Sequence, residues 1–153
     1  MGVCTIWVYK RYIYKRYGCM YELIMILLRM IGVTVEEYGE SYYNQMIPGT
    51  LDEIDKAGLL TPDQGMMLLN LPHFEIPLIL RKSDGGYGYD STDMAAVKHR
   101  IQDIKRDWII YITDAGQATH FHMVFDAARA MNWAPTGGIK VPPATTANNC
   151  GNN

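Results

Sequence analysis

The sequence predicts an α/β fold in which a βαβα unit builds a parallel sheet, preceded by a hairpin and a helical insert. Three observations carry this. Residues 77–82 form a short apolar run that breaks at Ser83-Asp84-Gly85-Gly86 and gives way to a helical pattern from Ser91 to Lys105. Asp107 to Asp114 is a nearly continuous β-rich run bounded by charges, the pattern of a strand covered on both faces. Ala115-Gly116 then turns the chain into a second helix, with Phe121, Val124, Phe125 and Ala128 repeating on one face. Strand, helix, strand, helix in that order argues for a right-handed crossover.

Composition bounds what such a fold can do. The chain has 153 residues, one domain's worth, and folding at that size buries about 68–70% of the unfolded surface. It is 48% hydrophobic and 20% charged, with net charge −2, so the whole chain has no electrostatic case for strong nucleic-acid binding. The three cysteines, Cys4, Cys19 and Cys150, are odd in number and far apart. Reduced thiols in a cytosol-like compartment are therefore expected. The longest apolar run, Leu23 to Leu28, is stopped by Arg29, whereas a membrane span needs about 20 residues. The first nineteen residues also lack the pattern of a secretory signal. The expectation is a soluble, cytoplasmic protein with no membrane partner.

Residues 1–31 read as a leader in which Tyr9, Tyr12, Tyr14 and Tyr17 interleave with Lys10, Arg11, Lys15 and Arg16. Aromatics that stack on bases, beside cations that meet phosphates, suit single-stranded nucleic acid. The alternative is a half-buried strand or helix with solvated basic residues and packed tyrosines. Residues 21–31 continue as a possible apolar helix, and residues 32–48 read as loop or short helix.

Thr50-Leu51-Asp52-Glu53 has the form of a capping box, with Thr50 at the cap and Glu53 three residues on. The helix it opens should run through Lys56, end at Gly58 and bury Leu51, Ile54 and Leu59. The apolar runs 65–71 and 77–82 look like antiparallel strands joined through Pro72-His73-Phe74-Glu75. His73 is read as a loop histidine, and no metal site is expected.

The central stretch, Lys82 to Ala96, carries the chemistry. Asp-Gly and Gly-Gly pairs supply the turn, and Ser91 or Thr92 can cap the helix after it. Met94, Val97, Ile101 and Ile104 form that helix's apolar side. Tyr89 and Asp93 lie four apart, so a first turn wound by Tyr89 puts a phenol and a carboxylate on one face. Such a pair can hold a cationic ligand; equally, it can be a surface tyrosine beside an acid at the positive helix end. In parallel sheets ligands sit at the carboxyl ends of strands. If the two strands are neighbours, loops 85–91 and 114–120 then surround one crevice with Tyr89, Asp93, Gln117 and His120. Gln117 and His120 can contact a ligand there or simply face water at a helix start.

The segment Ile76-Pro77-Leu78-Ile79, then Lys82 to Tyr87, then Tyr89-Asp90-Ser91-Thr92-Asp93-Met94-Ala95-Ala96, closely resembles cytosolic arginyl-tRNA synthetases. So do Trp108-Ile109-Ile110-Tyr111, Thr113 to Gln117, His120-Phe121 and Tyr38 to Asn44. The resemblance covers residues 32–133 and implies a partial Rossmann-like catalytic domain of a class I synthetase. It implies arginine, ATP (with Mg2+) and tRNA-Arg as substrates, and arginyl-adenylate as the intermediate. Tyr89, Asp93 and Gln117 match positions that contact the amino acid, and His120 a position on the nucleotide side. The physical chemistry of Asp93 agrees, because a planar guanidinium offers paired donors to a carboxylate.

The departures are as informative. Neither a His-x-Gly-His element nor a Lys-Met-Ser-Lys-like loop occurs, and His73, His99, His120 and His122 stand in other contexts. Removing one charge-stabilising donor of that kind costs about 2.7–4 kcal/mol of transition-state stabilisation. The expectation is a truncated piece holding an arginine pocket, with no catalytic residue of its own and no activity alone. The other expectation is a synthetase remnant acting as an RNA- or protein-interaction module, partnered by a full-length synthetase or a multi-synthetase assembly. Residues 134–153, rich in Pro, Gly, Thr and Asn, are expected to be a disordered tail. No Gly-x-Gly-x-x-Gly run or Walker-type loop supports a generic nucleotide-binding domain.

Overall fold

The computed structural model describes residues 4–8, 23, 26–32, 36, 38–106, 108–113 and 115–134. The tyrosines and basic residues at 9–17 and the tail beyond 134 lie outside them.

The first described strand, β1 (Cys4–Val8), comes from the segment expected to be a leader. A 3-10 helix, Glu40–Met46, runs directly into α1 (Ile47–Lys56). Three short strands follow, β2 (Leu60–Asp63), β3 (Met66–Leu69) and β4 (Leu78–Arg81), forming one antiparallel sheet in that order. Next come α2 (Tyr89–Lys98) and a π-helical turn, His99–Asp103. The last elements among the described residues are β5 (Trp108–Ile112), a 3-10 turn at Ala115–Gln117 and α3 (Ala118–Ala130).

Helix α2 is the centre of the molecule. Every residue from Asp90 to Val97 is buried, and α1, α3, β4 and the 3-10 helix all pack on it. Ala95 and Ala96 let neighbours approach closely, while Met94 and Val97 fill the space between Ile54 of α1, Leu80 of β4 and Val124 of α3 in one core cluster. A helix buried all round shows little amphipathic contrast, which is why its polar first turn reads so differently from its role.

Helix α1 starts three residues before the expected cap. Pro48 sits in its first turn, where a missing N–H costs nothing. Thr50 is buried inside the helix, and its hydroxyl donates to the Met46 carbonyl at 2.9 Å. The capping-box reading is thus corrected: the hydroxyl bonds backward along the helix. The end falls as expected. Gly58 takes φ +72°, its N–H reaches the Asp55 carbonyl, and the N–H of Leu59 reaches Ile54, a Schellman arrangement.

Strands β3 and β4 pair antiparallel as expected, with an irregularity between Met67 and Leu68. Strand β2 was not anticipated. It joins β3 through Gln64 and Gly65, both at positive φ, the geometry of a two-residue hairpin turn. Pro62 is tolerated because β2 lies at the sheet's edge.

The expected parallel pairing of β4 with β5 does not form. β4 pairs with β3, and β5 pairs in parallel with β1, from Cys4 opposite Trp108 to Val8 opposite Ile112. An apolar run signals a strand but not its partner. Nor is β5 covered on both faces: Trp108 is 64% exposed and Ile112 51%. The helix expected over 91–105 begins at Tyr89, leaves α geometry at His99 and ends before Lys105, whose φ is +54°.

Candidate functional site

The turn before α2 is fixed by its own backbone. Lys82 donates to the Gly86 carbonyl and Gly85 to the Lys82 carbonyl, both at 2.9 Å. Gly85 takes φ +82°, a conformation that costs side-chain-bearing residues about 1–2 kcal/mol. Asp84 Oδ1 accepts from the Gly86 N–H at 2.8 Å. The chain therefore enters α2 at Gly88, one residue before Tyr89.

Two side chains of the first turn then fasten the helix to β4. Asp90 Oδ2 accepts from the Ile79 N–H at 2.7 Å, and Ser91 Oγ donates to the Leu80 carbonyl at 2.6 Å. Ser91 also accepts from the Gly88 N–H at 3.3 Å. The cap is Gly88 and not the expected Ser91 or Thr92; Ser91 reaches back to it from inside the helix. Thr92 likewise bonds backward, donating to the Gly88 carbonyl.

One helical turn on, Asp93 is 8% exposed. His120 of α3 reaches across to it, with Nε2 2.8 Å from Asp93 Oδ2. The other ring nitrogen, Nδ1, lies 3.5 Å from Asp90 Oδ1. Tyr89 sets the edge of its ring against His120 with centroids 5.0 Å apart. Tyr89, Asp93 and His120 therefore meet, although their two strands belong to different sheets. The packing of α2 on α3 brings them together, not strand adjacency.

Gln117 sits in the 3-10 turn just before α3. Its side-chain oxygen is buried and accepts no hydrogen bond, from those three residues or any other described one. A buried unpaired acceptor is costly to leave so.

Beside Tyr89 opens a cleft of about 810 Å³, lined among others by Glu40, Ser41, Asn44, Lys82 and Tyr87. Asp90 and Thr92 contribute to its wall, whereas Asp93, Gln117 and His120 are not among its lining residues. Burial pushes the Asp90 carboxyl above the usual aspartate range, against the Ile79 hydrogen bond and the nearby His120.

Asp90, Glu40 and Asn44 were not singled out from sequence. Asp90 adjoins Tyr89, and its role shows only once β4 packs against it. Glu40 and Asn44 lie within the segment Tyr38 to Asn44, whose resemblance implies no role for either.

Behind the site, Arg100 is 2% exposed. Its Nη1 donates to the Tyr111 hydroxyl at 2.7 Å, and its guanidinium lies over the rings of Tyr43 and Tyr111. Burial raises both phenols above their ordinary range, while Arg100 pulls the other way. His99 packs against Tyr38, Tyr42 and Tyr43, holding the 3-10 helix that carries Glu40 and Asn44. Among the described residues no group of three or more His, Cys, Asp or Glu side chains could hold a metal ion.

Residues 11–142 match the family model described as tRNA synthetases class I (R), catalytic domain. The chain is 43% identical over 121 residues to the arginine–tRNA ligase of Protochlamydia amoebophila, covering 75% of this chain and 21% of that protein. It is 46% identical over 112 residues to the chloroplastic/mitochondrial arginine–tRNA ligase of Arabidopsis thaliana, covering 73% and 17%. It is 43% identical over 107 residues to the cytoplasmic one, covering 70% and 18%. The crystal structure of arginyl-tRNA synthetase from Plasmodium falciparum superposes with a TM-score of 0.68 at 35% identity, over 81% of this chain and 22% of that one. The chain spans about a fifth of the length of the curated relatives it matches.

Proposed function

The chain belongs to the class I arginyl-tRNA synthetase catalytic-domain family, and on that premise we propose that it supplies the arginine pocket of an arginine–tRNA ligase. The observation that carries the proposal is the mostly buried Asp93 carboxylate beside Tyr89, on a helix whose first turn is fastened to β4 at two points. A carboxylate in such a place favours a planar cation that donates two hydrogen bonds.

In this reading the guanidinium of arginine meets Asp93, and the Tyr89 hydroxyl adds a polar rim. The buried Gln117 oxygen takes an N–H of the substrate's amino end, which gives that acceptor a partner. His120 enters as the partner of Asp93 and not as a nucleotide contact, because both ring nitrogens face carboxylates. An uncharged analogue would leave Asp93 without its charged donors, and a charged hydrogen bond is worth about 1.5–3 kcal/mol.

The family reaction joins the arginine carboxylate to the α-phosphate of ATP, releases pyrophosphate, and passes the arginyl group to tRNA-Arg. The sequence holds neither element that steadies the phosphate charge. Mg2+ would accompany ATP, held chiefly by the phosphates with one or two carboxylates, and no step is assigned to that ion. We propose that this chain binds arginine and does not activate it alone. In an assay with ATP, arginine and tRNA, no arginyl-tRNA is expected from the isolated chain. Measurable turnover would contradict the proposal.

A synthetase partner that supplies the phosphate-handling elements is part of the same proposal. Exposed Ile26, Leu27, Met30 and Ile31 support it. Co-elution with an active arginyl-tRNA synthetase on size exclusion is the expected result, and independent elution the contrary one. The compartment proposed is the cytoplasm, on the reduced-thiol reading of three scattered cysteines. A fluorescent fusion tests it, with organellar fluorescence as the contrary result.

A further inference from the structure

Asp93 is held differently from its neighbours on α2. Asp90 is fixed by the Ile79 N–H, Ser91 by the Leu80 carbonyl and Thr92 by the Gly88 carbonyl, so each has a backbone partner. Among the hydrogen bonds and ion pairs of the described residues, those of Asp93's side chain lead to His120 alone, with Nε2 2.8 Å from Oδ2. A carboxyl group turns broadly about its last torsion, so this one bond from α3 sets the plane of the Asp93 carboxylate. An ionised carboxylate only accepts, which puts the hydrogen on Nε2. The other ring nitrogen lies 3.5 Å from Asp90 Oδ1, beyond the range of an N–H···O bond, and one hydrogen is all that the contact to Asp93 needs. The ring itself packs edge-on against Tyr89 and against Phe121, each with centroids 5.0 Å apart.

We propose that His120 is a positioning residue that gives the arginine site its preference for a guanidinium over an ammonium: its Nε2–H donates to Asp93 Oδ2 and fixes the carboxylate plane that a guanidinium must match. The inference rests on the reading that Asp93 receives the guanidinium. A guanidinium meets a carboxylate through two parallel N–H···O bonds in a shared plane, whereas an ammonium is a point charge that many orientations satisfy. A carboxylate free to turn keeps its charge but loses the fork. The two contacts do not compete, because each carboxylate oxygen has two acceptor sites. Oδ2 can serve His120 and the ligand together, and Oδ1 accepts no hydrogen bond from a described residue. A histidine that merely plugged the pocket would act in the opposite sense, since its removal would free Asp93 and tighten arginine.

The test is titration calorimetry of arginine and of lysine into the full chain, at one pH and one salt concentration. His120→Phe keeps a ring for Tyr89 and Phe121 to pack on but removes the donor. It should bind arginine about tenfold more weakly, the lower end of what a charged hydrogen bond contributes, with lysine changed much less. His120→Gln returns an N–H near the position of Nε2 and should recover most of the arginine preference. A general loss of structure would weaken both ligands alike. Wild-type protein supplies a readout that needs no variant: the side-chain nitrogen and proton spectrum of His120 should show a hydrogen on Nε2, and still show it with arginine bound. Where a variant fails to fold, that spectrum decides.

Four results would each overturn the positioning role and leave the arginine site standing. They are an unchanged arginine-to-lysine ratio in His120→Phe, tighter arginine binding in that variant, no recovery in His120→Gln, and an Nε2 without hydrogen. No binding of arginine to wild type at millimolar concentration would overturn the site reading and the positioning role together.

Discussion

The backbone N–H of Ile79 donates a 2.7 Å hydrogen bond to Oδ2 of Asp90, eleven residues further along the chain. It ties the start of β4 to the first turn of α2 and fixes how Tyr89 and Asp93 are presented. The Asp90 carboxyl is held above the ordinary aspartate range, burial being the main cause. A raised acid binds its proton more tightly in the folded state, so the stability it contributes is full below about pH 4 and declines as pH rises through the raised value. Asp90→Asn keeps an acceptor for Ile79 and has no charge to bury. Urea unfolding at pH 4, 5, 6 and 7 should show a smaller fall with rising pH for the variant than for wild type. Identical slopes would mean that the carboxyl is ionised at no cost.

Glu53 of α1 gathers the far ends of two other helices. Trp133, just past α3, donates to its Oε1 at 2.7 Å, and Lys98 at the end of α2 pairs with Oε2. Burial pushes the Glu53 carboxyl up, but the Lys98 and Trp133 hydrogen bonds outweigh it, and the net position is below the usual glutamate range. Stability from a lowered acid is present above its ordinary value and is lost as pH falls through the lowered one. The Glu53 side chain is 40% exposed, so screening keeps the effect small. Glu53→Gln should lose about 0.5–1 kcal/mol at pH 7 and almost nothing at pH 3. A loss that stays constant across that range would place the contribution in packing instead of charge.

Tyr111 carries the hydroxyl that receives Arg100 Nη1 at 2.7 Å. Tyr111→Phe keeps the ring under the guanidinium and removes the acceptor of a charged hydrogen bond. Thermal or denaturant unfolding should show a loss of about 1.5–3 kcal/mol. A change within experimental error would mean that Arg100 finds an equivalent acceptor.

These contacts show which parts of the architecture were legible in the sequence. The sequence brings Tyr89, Asp93 and His120 together through neighbouring strands of one parallel sheet, and that reason does not hold: the strands lie in different sheets, and the packing of α2 on α3, which no local spacing encodes, makes them meet. The antiparallel pair β3–β4 was legible from two apolar runs with a proline-containing connection. Strand partners were not. Nothing local in Trp108 to Ile112 distinguishes Cys4–Val8 from Leu78–Arg81 as a neighbour, since the choice is made by packing between distant segments. Strand β2 was hidden by Pro62, which argues against a strand unless the strand is known to be an edge. Thr50 misled because a threonine followed three residues later by glutamate reads as a cap, while Pro48 had already provided an earlier start. Asp90 was passed over because its partner is a backbone N–H on another element, and no sequence spacing encodes that.

Recognition of the guanidinium turns on Asp93, and a pair of ligands alike in shape but different in charge tests it. Arginine and citrulline have nearly the same shape, but only arginine carries the guanidinium cation. Equilibrium binding of each to the wild-type chain and to Asp93→Asn, at one pH and one salt concentration, separates charge recognition from shape. The account predicts that wild type binds arginine roughly tenfold to a hundredfold more tightly than citrulline, the range of one charged hydrogen bond, and that Asp93→Asn loses most of this preference. Equal preference for arginine in the variant and in wild type would contradict it.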